Sequence, residues 1–235
     1  MKPLAIDLFC GLGGWTEGLL AEGYDVVGFD IERHEYGDHR YPAQLVIQDV
    51  LTLHGSQFRN AALIVASPPC QAYSYRAMPW KRAKALPPPD NTLFDACFRI
   101  QREASEAAGR RIPLVVENVR GAQPWVGRAR WNFGSFYLWG DVPALMPTTK
   151  PRAKVAGLNW SGSDKAGYVA RAFNDTAVHQ GRKAPNGTQW FNDGPRSKDS
   201  LATMGGKSKA RKAASAMIAK IPLPLSRHIA AVYFP

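Results

Sequence analysis

Residues 61–66, Ala-Ala-Leu-Ile-Val-Ala, form a wholly apolar run, and Ser67-Pro68-Pro69-Cys70-Gln71 follows it directly. This pattern predicts a strand whose next residues lie at the carboxyl edge of a sheet, where open α/β folds bind their ligands. The two prolines fix the backbone, so we expect Cys70 on a rigid, non-helical loop. Cys70 is therefore a candidate nucleophile, although a free cysteine is more commonly a small buried apolar residue.

Three strands are predicted upstream of this run, and each leads into residues suited to ligand binding. Residues 4–9 precede the glycine-rich turn 10–14, where glycines permit positive φ and the close approach of a ligand. Residues 25–30 and 45–49 each end in a carboxylate. An acid at the end of the second strand is typical of α/β proteins that bind ribose hydroxyls.

Downstream of Cys70, residues 72–89 are rich in Tyr, Arg, Lys, Trp and Pro. Two interpretations are open: an irregular surface loop, or a mobile cover whose cations meet phosphates. The cations in question are Arg76, Lys81, Arg82 and Lys84.

A helix is predicted from residue 90 to Gly109, with Cys97 on its buried stripe. Residues 113–119 form a fifth strand that carries an acid, Glu117. An aromatic strand pair is expected at residues 133–139.

The last third of the chain has a weaker pattern. Residues 148–206 are polar with isolated aromatic residues, which suits either a long loop or a nucleic-acid groove contact. Residues 207–220 predict a basic helix with Ala213 and Met217 inward, and an apolar helix is expected to begin near Ile229.

Length, charge and cysteine content narrow the class of protein. The chain has 235 residues, which suits one α/β domain with a small appendage. A net charge of +11 favours a polyanionic partner, which at this size usually means nucleic acid. Three cysteines without a CxxC pair indicate a reduced protein without structural zinc. We expect no membrane span and no bound metal.

Three motifs stand in order along the chain: Asp7-x-Phe9-x-Gly11-x-Gly13-Gly14, then Pro68-Pro69-Cys70-Gln71, then Glu117-Asn118-Val119. Together they resemble the S-adenosylmethionine-dependent DNA (cytosine-5) methyltransferases of compact bacterial or phage type. The resemblance implies an α/β fold with a Rossmann-like class I methyltransferase sheet and helices on both faces. It also implies a catalytic domain of residues 1–147 and 207–235, with a small, irregular target-recognition region at 148–206.

Two further segments are similar to family motifs but depart from them. Arg128-x-Arg130 resembles a Gln-x-Arg-x-Arg motif in which Val126 occupies the glutamine position. Residues 222–225 and the helix that follows stand where the last family motif packs back beside the cofactor, without that motif's usual asparagine.

The chemistry of cytosine methylation gives each catalytic candidate a role. Carbon 5 is too weak a nucleophile until a thiolate adds at carbon 6, and Cys70 is placed to do this. Glu117 would protonate N3 if burial raises its pKa. The resemblance implies that Asn118 helps to hold Glu117 or the base. It further implies that Arg130 binds the base or a phosphate and favours the thiolate, while Arg128 supports the loop.

The resemblance also implies a site for S-adenosyl-L-methionine, whose product is S-adenosyl-L-homocysteine. Backbone groups of the glycine turn would surround the methionine part, and Asp30 would bind the ribose, with Glu32 as a second candidate. Ile31 would lie on the adenine, and Asp49 would accept from its amino group. The full expected set is Asp7, Phe9, Cys10, Gly11, Leu12, Gly13, Gly14, Asp30, Ile31, Asp49, Pro68 and Leu93.

The expected partner is double-stranded DNA with a flipped-out cytosine, and the expected state is a monomer in the cytoplasm of a bacterial or phage-infected cell. The lack of any fused segment indicates a solitary enzyme of the restriction-modification kind. Four alternatives stay open at this stage: a transfer-RNA cytosine-5 methyltransferase, a DNA-binding relative without catalysis, transfer of another group from a modified cofactor, and a NAD-binding oxidoreductase. The last gives no reason for Cys70 and Glu117.

Overall fold

A computed structural model of the chain describes residues 2–74, 85–146 and 209–235. The chain divides into two compact units, Met1–Thr149 with Ile221–Pro235, and Lys150–Lys220. In the second unit the described part is a helix, Lys209–Ala219, in which Ala213 and Met217 are buried. The proposed target-recognition region 148–206 and the loop cations at 76–84 lie outside the described residues, so their roles stay predictions.

The first unit is built on a seven-stranded sheet with the spatial order β3-β2-β1-β4-β5-β7-β6. Strands β1 to β5 are parallel, whereas β7 runs antiparallel to both β5 and β6. The strands are β1 (Leu4–Leu8), β2 (Asp25–Asp30), β3 (Gln44–Ile47), β4 (Ala61–Ala66), β5 (Leu114–Asn118), β6 (Trp131–Phe133) and β7 (Phe136–Gly140). The strand order reverses between β1 and β4, and open α/β sheets bind ligands beyond the carboxyl ends of the strands at such a point.

Helices cover both faces of this sheet. The helices of the first unit are α1 (Gly14–Ala21), α2 (Thr92–Ala108), the single turn α3 (Gln123–Val126) and α5 (Leu223–Val232). The number α4 is given to the helix of the second unit, Lys209–Ala219. Short 3₁₀ turns lie at Val50–Thr52, Gly55–Phe58, Gln71–Tyr73 and Arg120–Ala122. No helix in the described ranges is both long enough and apolar enough to cross a bilayer.

The central strand β4 is apolar throughout because both of its faces are buried. Ile64 and Ala66 join a core cluster with α2, while Leu63 and Val65 join a second cluster with α1 and α5. A parallel strand covered by helices on both sides needs apolar side chains at every position. This confirms the predicted α/β fold with helices on both faces.

The structure corrects two predicted boundaries. Strand β3 ends at Ile47, and Asp49 caps the next 3₁₀ turn by accepting from the Leu51 amide at 2.9 Å. Helix α5 begins at Leu223 rather than near Ile229, with Pro222 as its N-cap. Prolines are tolerated there because amides of the first helical turn have no acceptor within the helix.

Strand β7 is anchored to β5 through a close approach at Gly140. Gly140 has φ +83°, and a Cβ atom at this position would lie 2.3 Å from the carbonyl oxygen of Leu114. Asp141 makes two hydrogen bonds to the amino end of β5. Its amide donates to Leu114 O at 2.7 Å, and its Oδ2 accepts from the Leu114 amide at 3.0 Å.

We therefore expect Gly140→Ala to lower the free energy of unfolding by about 3 kcal/mol or more, because it adds both left-handed strain and a backbone clash. Gly134→Ala is the matched control, since Gly134 has φ +60° and open space around the Cβ position. The control is expected to cost about 1 kcal/mol. Urea denaturation of both variants tests this, and equal losses would contradict the proposed close approach.

Candidate functional site

The turn after β1 has an unusual backbone. Phe9, Gly11 and Gly13 have φ values of +58°, +51° and +76°, and Phe9 is the one non-glycine residue with positive φ in the described chain. A Cβ atom on Gly13 would lie 2.5 Å from Pro42 Cδ, whereas one on Gly11 would meet nothing within 4 Å. Gly13 is thus required by internal packing, and Gly11 is the glycine that faces open space.

Asp30 holds this turn from the end of β2. Its Oδ2 accepts from the Gly11 amide at 2.9 Å, and its Oδ1 accepts from the Ile31 amide at 2.8 Å. Burial acts to raise the pKa of Asp30, but hydrogen bonds from His34 and the Gly11 amide hold this pKa below its usual value. Asp30 is therefore a carboxylate at neutral pH, fixed in place beside the open glycine.

Asp7 lies beneath the turn rather than at its surface. It is fully buried, and Thr16 Oγ1 donates to its Oδ2 at 2.6 Å. The Thr16 hydroxyl also contacts the Tyr41 hydroxyl at 2.7 Å. Burial raises the pKa of Asp7 to about 7. Asp7 thus supports the start of α1 from within the core.

The other predicted cofactor residues differ in exposure. Ile31 is 70% exposed directly after Asp30, an unusual position for an apolar side chain beside an ordered carboxylate. Phe9, Asp49 and Leu93 are half-buried, as is Gly11. Cys10, Leu12, Gly13, Gly14 and Pro68 are buried. A surface with an open backbone, an ionised acid and an exposed apolar side chain fits a nucleoside-containing cofactor.

The loop that carries Cys70 is tied to both neighbouring strands. The Ser67 amide donates to Leu8 O at 3.1 Å, and Asn118 Nδ2 donates to Pro68 O at 3.0 Å. Asn118 Oδ1 accepts from the Val119 amide at 2.8 Å. The fully buried Asn118 side chain thus holds the cysteine loop against the end of β5.

Cys70 and Glu117 come together at the carboxyl ends of adjacent strands. Ala66 pairs with Val116 in the parallel register of β4 and β5, so the residues that follow lie side by side. Burial raises the pKa of Glu117 to about 8, against a hydrogen bond from Ser67 that lowers it. The carboxyl group is therefore mostly protonated at pH 7.

The Cys70 thiol is half-buried and not activated in this state. Burial raises its pKa, the nearby Glu117 raises it further, and a hydrogen bond from Ser74 lowers it. None of the main influences on this pKa from the described residues is a positive charge. The free thiol is consequently neutral at pH 7.

Arg130 directly precedes strand β6. The Arg130 amide donates to Leu138 O, and its charge acts on Tyr233, whose hydroxyl donates to Asp141 O. Asp141 is bonded to the amino end of β5, opposite the end that carries Glu117. Arg128 is exposed in the segment between α3 and β6.

Sequence reasoning missed several residues that support the site. Trp15 Nε1 donates to Ser67 Oγ at 3.0 Å, which links α1 to the cysteine loop. Tyr73 donates to Asn91 Oδ1 at 2.8 Å, which joins the residues on either side of the 75–84 segment. Ser67 could have been noticed because it directly precedes Pro68-Pro69-Cys70. Tyr73 carried no comparable signal.

Within the parts of the chain described here, no group of three or more His, Cys, Asp or Glu side chains is arranged to hold a metal ion. The site therefore consists of the glycine turn with Asp30 and Ile31, followed across the sheet by Cys70 and Glu117.

The strand order with its antiparallel seventh strand, and the glycine turn at the carboxyl edge, define a Rossmann-like α/β fold of the class I methyltransferase type. The family model for C-5 cytosine-specific DNA methylases matches residues 4–124. That segment contains the glycine turn, Cys70 and Glu117. The chain belongs to this family.

Solved structures similar to the chain are methyltransferases that cover it only in part. One is described as a DNA modification methyltransferase encoded within an E. coli prophage, with 27% identity and a TM-score of 0.36 over 52% of this chain and 33% of that one. S. pombe Dnmt2 has 16% identity and a TM-score of 0.34 over 52% and 36%. Spodoptera frugiperda DNMT2 has 18% identity and a TM-score of 0.36 over 53% and 38%.

The chain thus spans about a third of the length of these solved structures. None of the curated proteins compared with it gives a match.

The raised pKa of Glu117 implies a cost to stability. Above its usual pKa of 4.5 the unfolded chain releases a proton that the folded protein retains until about pH 8, so stability falls as pH rises through that range. We expect Glu117→Gln to raise the free energy of unfolding at pH 8 by about 2–4 kcal/mol and to have little effect at pH 4.

Glu103→Gln serves as a control with the opposite sign. Glu103 accepts from the Gly55 amide at 2.6 Å and pairs with Arg99 at 3.1 Å, and these contacts hold its pKa below the usual value despite partial burial. Its replacement is expected to lower stability at pH 8. Urea denaturation at both pH values measures both variants, and an equal effect of Glu117→Gln at pH 4 and pH 8 would contradict the raised pKa.

Proposed function

We propose that the protein is a DNA (cytosine-5) methyltransferase that uses Cys70 as nucleophile and Glu117 as proton donor. The observation that carries this proposal is the placement of a half-buried thiol beside a half-buried carboxyl group, whose pKa is raised to about 8, at the carboxyl ends of β4 and β5. Membership of the cytosine-specific DNA methylase family supports the choice of base.

The surface beside Gly11 suits S-adenosylmethionine, which supplies the methyl group when bound. Gly11 leaves open space for the methionine part, and the ionised Asp30 is suited to ribose hydroxyls. Ile31 offers exposed apolar surface to the adenine, while Asp49 keeps one carboxylate oxygen beyond its bond to the Leu51 amide. Phe9 and Leu93 would pack nearby.

Catalysis then depends on the transfer of two protons, one from the Cys70 thiol and one from the Glu117 carboxyl group. The thiol of Cys70 loses its proton to water or a DNA phosphate as Sγ bonds to carbon 6 of the flipped base, and the Glu117 proton passes to N3. After the methyl group joins carbon 5, a base removes the carbon 5 proton. The Sγ–carbon 6 bond then breaks, and Glu117 takes back the N3 proton.

The pKa of Glu117 suits both of its tasks. A group with a pKa of about 8 is protonated before the reaction at pH 7, yet it can lose and regain its proton without a large free-energy difference. The neutral Cys70 requires that its proton be drawn off when the substrate is bound. We propose Arg130 as a residue that binds the base or an adjacent phosphate and favours the thiolate when substrate is bound.

The polyanion partner is supported by the net charge of +11. A base within a duplex is out of reach of Cys70, so the proposal includes base flipping, at a cost of about a few kcal/mol for unstacking. We propose residues 148–206 as a small target-recognition region. Its small size favours a short recognition sequence, which bisulfite sequencing of methylated DNA would reveal.

The catalytic prediction concerns Cys70→Ala. Wild-type protein incubated with tritiated S-adenosylmethionine and mixed-sequence duplex DNA is expected to yield labelled 5-methylcytosine, and Cys70→Ala is expected to yield none. Cys97→Ala is the matched control, because Cys97 is fully buried in the α2 core and should leave activity largely intact. Glu117→Gln is expected to lower the rate by about 10²–10⁴-fold.

Nucleoside mass spectrometry identifies the product, and transfer RNA is tested as a competing substrate. Label in RNA but not in DNA would overturn the substrate assignment while leaving the roles of Cys70 and Glu117 in place. Label with both wild type and Cys70→Ala would overturn the nucleophile. A transferred group other than methyl would overturn the cofactor assignment.

The cofactor prediction compares two glycines with similar backbones. Gly11 and Gly37 have φ values of +51° and +60°, and a Cβ atom would meet nothing within 4 Å at either position. Each change to alanine should therefore cost the fold about 1 kcal/mol. Only Gly11→Ala is expected to weaken S-adenosylmethionine binding, by about tenfold or more in isothermal titration calorimetry. Equal affinities for the two variants would place the methionine part elsewhere.

A further inference from the structure

Trp15 connects the first helix to the loop that carries the catalytic cysteine. Its side chain is 2% exposed, and its indole Nε1 donates to Ser67 Oγ at 3.0 Å. An indole nitrogen can only donate, so Ser67 Oγ must act as the acceptor in this contact. The serine's own hydroxyl hydrogen is therefore free to point elsewhere.

The neighbouring carboxyl group on β5 is that of Glu117. Ser67 directly follows Ala66, which pairs with Val116, so Ser67 lies beside Glu117 in the parallel register, and the Ser67 hydroxyl acts to lower the pKa of Glu117. The Ser67 backbone is held by its amide, which donates to Leu8 O at 3.1 Å. The indole N–H of Trp15, the Ser67 hydroxyl and the Glu117 carboxyl group thus follow one another from α1 to β5.

We infer that Trp15 and Ser67 are positioning residues that hold Glu117 in the orientation and protonation state that the reaction needs. This inference deepens the proposed function and rests on it for its catalytic meaning. The indole N–H orients the Ser67 hydroxyl, and the hydroxyl donates to one oxygen of Glu117. The other oxygen is left to carry the proton that passes to N3 of the base.

The direction of the effect follows from the donor and acceptor roles. A donor to a carboxyl oxygen stabilises the charged form, so Ser67 offsets part of the large effect of burial on Glu117. Among the described residues, a second titratable group that interacts with Glu117 is Cys70, on the loop after β4. On the opposite side, the apolar Leu138 of β7 lies across from Glu117. From α1, Trp15 donates its indole N–H to Ser67.

The contacts of Trp15 and Ser67 therefore keep the pKa of Glu117 low enough for the carboxyl group both to donate its proton to N3 and to take it back. Without Ser67 the carboxyl group would hold its proton more tightly and release it to N3 less readily. Without the Trp15 N–H, the Ser67 hydroxyl would be free to rotate and to accept from a protonated Glu117, which favours the neutral form. Both changes act in the same direction, and the loss of the Trp15 N–H acts through Ser67.

The test titrates Glu117 directly in the free protein by carbon-13 NMR of labelled glutamate carboxyl groups, with Glu117→Gln used to assign the signal. Ser67→Ala is expected to raise the pKa of Glu117 by about one pH unit. Trp15→Phe keeps the aromatic ring but removes the N–H, and it is expected to cause a smaller rise. Trp15→Phe combined with Ser67→Ala is expected to match Ser67→Ala alone.

Ser105→Ala is the matched control. It removes a serine hydroxyl that donates to Gln101 O at 2.7 Å and accepts from the Ile112 amide at 3.0 Å, at the far end of α2. This variant is expected to leave the Glu117 titration unchanged. If Ser67→Ala leaves the titration unchanged as well, or if Trp15→Phe and Ser67→Ala have additive effects, the inference is overturned.

The same variants in the methyl-transfer assay separate this inference from the proposed function. The alkaline limb of the pH–rate profile is expected to move upward in Ser67→Ala, and Ser67→Thr, which retains the hydroxyl, is expected to restore it. An altered titration in a protein that methylates no DNA would leave the link in place and overturn the proposed function. Conversely, if the enzyme methylates DNA but Ser67→Ala leaves the Glu117 titration unaltered, the proposed function stands and the inferred link is overturned.

Discussion

The hydrogen bond from Asn118 Nδ2 to Pro68 O is the contact on which the geometry of the site depends. It joins the loop after β4 to the end of β5, and those two segments carry the proposed nucleophile and the proposed acid. Backbone pairing between the strands stops at Ala66 and Val116. Beyond that pair, the fixed separation of Cys70 and Glu117 therefore relies on one buried amide and on the rigidity of two prolines.

Buried carboxyl groups recur around this sheet edge and have different environments. Asp30 receives several hydrogen bonds and stays ionised, whereas Asp7 and Glu117 receive fewer and have raised pKa values. The difference arises from the number of donors rather than from depth alone. Asp7 Oδ1 is buried with no hydrogen-bond partner in the described structure. The protein thus holds two carboxyl groups with raised pKa values, one buried beneath the turn and one half-buried at the proposed reaction centre.

Much of this arrangement was predictable from the sequence, because local patterns determine it. The apolar run at 61–66, the glycine turn and the buried face of Cys97 each depend on residues close together in the chain, and the structure confirms each of them. The partial burial of Glu117 and its raised pKa agree with its place at the end of an apolar strand.

Features that depend on distant residues were harder to predict. The Trp15–Ser67 contact joins residues 52 positions apart, and no local pattern indicates it. The location of Arg130 depends on the register of the β6–β7 hairpin, which a motif comparison does not contain. The start of α5 was misjudged because its prolines suggested a loop, although the first helical turn tolerates them.

The packing of α5 against α1 has a consequence for how the protein folds. A Cβ atom on Gly18 would lie 2.3 Å from Ser226 Oγ, and the ion pair between Arg227 and Glu22 joins residues 205 positions apart. Because α1 is only eight residues long, it gains little stability by itself. During synthesis, therefore, the helix that bears Trp15 emerges early but cannot complete its packing until α5 has left the ribosome. The half of the sheet that carries the glycine turn is expected to mature late, although its residues precede those of α5 in the chain.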